Sequence, residues 1–224
     1  MSARLSRSIA GAALAVLLCV PGVASADPAT YTVYSCRGPE GTPIATRAWQ
    51  ADPGDEGVDD TCAAGGALTA QVSGPALGPG RVSGLRFLAP PGTQIAGYRV
   101  HLTATTGWAP LWSQLEAGLA VGSVVGIPPV SQGCTDERCA FGDPDDPLAD
   151  GNLVTGSGLP APGLVLLARC SAGACDPGDE GPAPARAQLW RSAVDLVDPQ
   201  APVVGKPDGS LLAPGAVAAL VAHG

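Results

Sequence analysis

The chain is poor in the groups that carry most enzymatic chemistry and in those that hold polyanions. It has two histidines, His101 and His223, among 224 residues. Nucleophilic catalysis of the serine–histidine–acid kind needs a histidine base. His223 lies next to the end of the sequence, and His101 falls on the polar side of an alternating segment, where it reads as a surface residue. Neither G-x-S-x-G nor H-E-x-x-H occurs. Lys and Arg number 12 against 20 Asp and Glu, for a net charge of −8, and no basic cluster stands out. Such a surface repels phosphate backbones and anionic lipid, so no nucleic-acid partner is expected. The longest apolar run, Ile9–Val20, falls short of the ~20 residues that span a bilayer, so no membrane span is expected either.

What is present begins with a leader. Arg4 and Arg7 precede the apolar run, Pro21-Gly22 breaks it, and Ala24-Ser25-Ala26 supplies the small residues that a signal peptidase reads. Residues 1–26 are expected to be a secretory signal peptide cleaved before Asp27. The location expected is therefore extracellular or at the cell surface. Cys19 leaves with the leader, and Cys36, Cys62, Cys134, Cys139, Cys170 and Cys175 remain. An even number in an exported chain implies disulfides. CTDERC and CSAGAC share the spacing C-x4-C, which closes a tight loop. The expected pairs are Cys36–Cys62, Cys134–Cys139 and Cys170–Cys175. In the chain-entropy model the short loops contribute ~2 kcal/mol each and the long one ~3.5 kcal/mol.

Short segments of β-branched and apolar residues are punctuated by 31 Gly and 23 Pro, and no amphipathic helix follows the leader. Strands are expected at Tyr31–Cys36, Ile44–Gln50, Ala67–Val72, Leu153–Thr155, Leu164–Cys170 and Ala187–Val197. Arg81–Thr103 predicts a hairpin broken at Pro90-Pro91-Gly92, since proline removes a ladder donor and glycine accepts positive φ. Its second strand places Ala96, Tyr98, Val100 and Leu102 on one face and Gly97, Arg99, His101 and Thr103 on the other. In the last strand Trp190, Val194 and Leu196 share a face opposite Arg191 and Asp195, and Trp190 reads as core. Trp108–Gly126 is either strand–turn–strand or a helical turn and a strand. Gly118, Gly122 and Gly126 weigh against a helix, each costing ~1 kcal/mol relative to alanine. The expectation is an all-β, two-sheet antiparallel β-sandwich of the jelly-roll or lectin-like kind over 27–198. A Pro-rich linker and a poorly ordered or truncated tail would occupy 199–224.

The ordered series YTVYSCRGPEGTPIATRAW, DDTCAAGGALTA, FLAPPGTQIAGYRVHL, CTDERC, LLARCSAGAC and AQLWRSAVDLVDPQAPVV resembles a largely uncharacterised family of secreted actinobacterial proteins. The resemblance runs from Tyr31 to about Leu212. It implies a cysteine-bridged jelly-roll-type domain followed by immunoglobulin-like repeats, and it brings no catalytic residue to this chain.

Three constellations remain as candidates for chemistry. Glu116 is the one glutamate in an apolar setting, but glycoside hydrolysis needs a second carboxylate, and none lies at strand spacing. Asp143, Asp145, Asp146 and Asp150 crowd one loop. They are either solvated acidic turns or a calcium site, which wants about six to eight oxygens. Trp108 and Trp112, beside Gly107 and Pro110, are either core or an exposed platform for a sugar ring. The function expected is that of a non-catalytic extracellular or cell-envelope protein, structural or adhesive, with a polysaccharide or envelope polymer as partner and no cofactor beyond that calcium. The alternative is a glycoside hydrolase or its carbohydrate-binding module.

Overall fold

The computed structural model describes residues 28–46, 48–51, 55, 57–72, 81–107, 114–122, 129–159, 163–171 and 185–199. The leader, most of the C-terminal segment, Trp108, Trp112 and Cys175 lie outside them. The described residues form an all-β sandwich of two antiparallel sheets.

The larger sheet is built on two long strands, β7 (Gln94–Thr106) and β13 (Ala185–Asp198), paired along nearly their whole length. Each then takes two shorter partners end to end. β1 (Ala29–Arg37) and β5 (Leu68–Val72) line β13. β11 (Leu153–Leu159) and β10 (Ala140–Phe141) line β7. β2 (Pro43–Ile44) and β4 (Val58–Asp60) extend the far edge through β1 and β5. The smaller sheet runs β3 (Trp49–Ala51), β6 (Arg81–Phe87), β12 (Leu164–Ser171), β8 (Gln114–Val121), β9 (Val130–Cys134).

Arg81–Thr103 is not a hairpin. β6 lies in the smaller sheet and β7 in the larger. The Pro90–Thr93 turn, closed by the Thr93 N–H and Oγ1 on the Pro90 carbonyl (3.1 and 2.7 Å), hands the chain from one layer to the other. Ile44–Gln50 is split the same way, since Ile44 pairs with Cys36 in one sheet and Trp49 with Phe87 in the other. Gln114–Val121 is a strand rather than a helical turn. Gly118 and Gly133 face each other across β8 and β9, and a Cβ at Gly118 would run into the Gln132 carbonyl.

The core lies between the layers. Val100, Leu102, Leu189, Val194 and Leu196 from the larger sheet meet Leu85, Phe87, Leu115, Leu119, Leu164 and Leu166 from the smaller. β12 is covered on both sides, because Val165 and Leu167 belong to a second buried cluster with Ala120 and Val130. Among the described residues the buried tryptophan is Trp49, edge-on to Phe87 with centroids 5.7 Å apart. Its Nε1–H crosses the sandwich to Ser192 Oγ at 3.2 Å. Trp190 is only half-buried and donates to Thr103 Oγ1 at 2.9 Å. It is an extra residue in β13, whose register against β7 shifts between Leu189 and Arg191. The bulge turns its side chain out of the alternation that would have carried it inward.

Two described disulfides fix strand ends. Cys36–Cys62 ties β1 to the 3-10 turn Cys62–Ala64, and Cys134–Cys139 closes the loop between β9 and β10. Cys170 is also disulfide-bonded. Thr106 docks the second loop on β7, donating to the Asp136 carbonyl and accepting the Cys139 N–H at 3.1 Å.

Leu166 is fully buried at the middle of the central strand of the smaller sheet. Leu166→Ala should lower stability by about 2–5 kcal/mol in urea unfolding. Leu88→Ala, at a side chain 48 % exposed, should move it by less than about 0.5 kcal/mol. Equal small losses at both positions would contradict this core.

Candidate functional site

The outward face of the larger sheet is a regular lattice of side chains. Register places Leu153, His101 and Arg191 in one row across β11, β7 and β13. The next row is Thr155, Arg99, Ala193 and Tyr34, ending on β1, and the third is Ser157, Gly97, Asp195 and Thr32. Strand alternation sends these side chains away from the core, since their neighbours Val100, Ser192 and Val194 are buried inward. Each of the last two rows holds one very small residue in its interior, Ala193 and Gly97. Over them the surface sinks.

Two adjoining hollows result. One, of about 220 Å³, is lined by Tyr34, Arg99, His101, Leu153, Arg191 and Ala193. The other, of about 540 Å³ and more open, runs over Thr30, Gly97, Thr155, Ser157 and Asp195. Arg99 walls both. Its guanidinium meets Asp195 Oδ2 at 3.2 Å, and Asp195 Oδ1 accepts the Thr32 hydroxyl at 2.6 Å. Exposed pairs of this kind contribute at most about 1 kcal/mol, so the effect of the pair is to orient Arg99. Arg191 donates to the Pro39 carbonyl at 3.2 Å, which holds its side chain across the sheet.

His101 is half-buried beside Arg191, and both burial and that guanidinium push its pKa below the ordinary histidine value. Asp150 and a backbone hydrogen bond at Leu148 act against them. The imidazole is therefore biased toward its neutral form in the folded protein.

The other candidates stand apart from this face. Asp143, Asp145, Asp146 and Asp150 are exposed, and among the described residues no three His, Cys, Asp or Glu side chains converge as a metal would need. The loop is instead organised by buried Asn152. Its Nδ2 donates to the carbonyls of Asp143 and Asp146 (2.9 and 3.0 Å), and its Oδ1 accepts the Asp143 N–H at 2.7 Å. Among the described residues Glu116 has no carboxylate partner. It pairs with Arg169 at 2.7 Å and accepts the Val130 N–H. A third hollow, of about 140 Å³ over Phe87, Leu88, Leu164 and Val165, is apolar.

The sequence already puts Arg99, His101, Arg191 and Asp195 on polar faces. Tyr34 and the sunken Ala193 emerge only once β1 is known to pair with β13. The alternation Thr30, Thr32, Tyr34 is the signal that could have added β1 to this surface.

The lowered His101 pKa has a signed consequence for stability. Between the folded value and the unfolded value of 6.5, the unfolded chain binds more protons, so acidification through this window costs stability. The difference in urea midpoint between the wild type and His101→Gln should move against the wild type from pH 7.5 to pH 5. A difference independent of pH, or of opposite slope, would contradict the environment described.

Comparison with protein-family models, with curated proteins and with solved structures returned no match for the chain.

Proposed function

We propose that the protein works outside the cell as a non-catalytic binding protein of the envelope or matrix, holding a polysaccharide along the outward face of its larger sheet. One observation carries the reading. Two hollows lie side by side over four hydrogen-bonded strands, and strand pairing and the Arg99–Asp195–Thr32 contacts hold their polar walls in place. A rigid surface with hydroxyls, guanidinium groups and an aromatic side chain suits an extended, hydroxyl-rich ligand, because little side-chain freedom is lost on binding. The leader expected at residues 1–26 and the described disulfides fit an oxidising compartment. Among the described residues no helix is long and apolar enough to cross a membrane. The competing reading, a glycoside hydrolase using Glu116, has less support because that carboxylate is neutralised by Arg169.

Filling the hollows tests the proposal without touching the core. A Cβ at Gly97 meets the Gly156 carbonyl oxygen at 3.4 Å, ordinary contact, and Ala193 points outward. Ala193→Leu combined with Gly97→Val should leave thermal unfolding within a few degrees and cut retention on insoluble polysaccharides by about tenfold or more, a loss of ~1.4 kcal/mol. Retention unaffected by the substitutions, or a wild type retained by no polymer, would refute it.

A further inference from the structure

The smaller hollow differs from the larger one and from the rest of the chain in its charge. Among the described residues its wall carries Arg99, His101 and Arg191 and no carboxylate, in a protein of net charge −8. Of the two arginines, Arg99 is balanced by Asp195. Arg191 donates to a neutral carbonyl, that of Pro39. Asp150 lies close enough to influence His101 but is not part of the lining. Tyr34 forms the opposite wall, and Ala193 is 4 % exposed beneath. The adjoining hollow shares Arg99 and otherwise has hydroxyl and backbone groups, and the one carboxylate among its described residues, Asp195, already pairs with Arg99 and Thr32.

We propose that the hollow bounded by Tyr34, Arg99, His101 and Arg191 receives the carboxylate of an acidic sugar unit, while its neutral neighbour in the polymer lies over Gly97, Thr155 and Ser157. This rests on the polysaccharide reading and names its ligand class. A guanidinium is a planar fork of donors that matches a carboxylate with two parallel hydrogen bonds. Tyr34 offers a ring face to the sugar and a hydroxyl to its edge. At about 220 Å³ the hollow is smaller than the roughly 300–1,000 Å³ of sites for larger organic ligands, which suits one sugar unit. The acidic remainder of the surface disfavours a densely charged polyanion such as nucleic acid, which needs many cationic contacts at once. A single cationic hollow suits a chain in which charged sugars are separated by neutral ones.

His101 supplies a signature that a merely structural histidine would lack. An anion seated against it favours the imidazolium, so binding must raise its pKa, and by linkage affinity must rise as pH falls. The groups facing it are Arg191 from β13, Arg99 from its own strand, and Asp150 and Leu148 from the loop before β11, with Leu153 and Tyr34 as uncharged neighbours.

The test is titration of the intact protein with sodium glucuronate, glucose and glucose 6-sulfate, followed by NMR of the His101 ring. Glucuronate should saturate the signal, raise the His101 pKa and bind more tightly at pH 5.5 than at pH 7.5, while glucose leaves the ring unmoved. Arg191→Gln should weaken glucuronate by about tenfold or more, the loss expected for charge-assisted hydrogen bonds. Arg191→Lys should recover part of it, since the charge returns without the fork. A ring equally responsive to glucose, an equal response to the sulfate, or an affinity insensitive to Arg191→Gln would overturn the assignment. If polymer retention persists under any of those results, the binding face stands and only its ligand class falls. If retention is lost as well, both fall.

Discussion

The ladder between β7 and β13 is the constraint on which the remaining structure depends. These two are the longest of the described strands, and each anchors two further partners end to end. Their inward residues, Val100, Leu102, Leu189 and Val194, belong to the core. Their outward residues, Arg99, His101, Arg191 and Asp195, build the hollows. Because side chains alternate with period two, a slip of one residue would exchange these sets. Burial of the apolar set therefore fixes where the polar set stands. The hydrophobic effect, acting on one face, positions the chemistry on the other.

Two bulges refine this arrangement. One lies at Trp190 on β13 and the other at Ala96 on β7, and between them the register is displaced by one residue. The displaced stretch coincides with the sunken part of the surface. At the first bulge Trp190 leaves the inward series and bonds to Thr103 on the outward side, while Ser192 moves inward to meet Trp49. At the second, Ile95 takes the buried place that strict alternation would have given Ala96. Bulges are common where a sheet must re-aim side chains, and here they bring Arg191 opposite His101 and Ala193 opposite Arg99.

What the sequence revealed and what it hid follow from the range of the forces involved. Alternation is local, so the all-β class, most strands and the polarity of Arg99, His101, Arg191 and Asp195 were legible. Pairing is not local. Pro90-Pro91-Gly92 looks the same whether it joins two strands of one sheet or carries the chain between sheets, and the second is what occurs. The strands Val58–Asp60 and Val130–Cys134 are missing from the expected set, because acidic and polar edge segments lack the apolar alternation of a central strand. The aspartates of 143–150 suggested calcium because composition counts carboxylates without showing where they point. Asn152, at the end of the same polar run, holds that loop through its side-chain amide. The hollow itself was hidden because it is made by small residues, Ala193 and Gly97, whose meaning depends on the larger neighbours that pairing brings beside them.

The account is tested most directly by the register of β7 against β13 in solution, read from cross-strand nuclear Overhauser contacts on isotopically labelled protein. Contacts linking His101 with Arg191 and Arg99 with Ala193 are the expected result. Contacts linking His101 with Trp190 would place Arg191 on the inward side, dissolve the cationic hollow and contradict the account at its base.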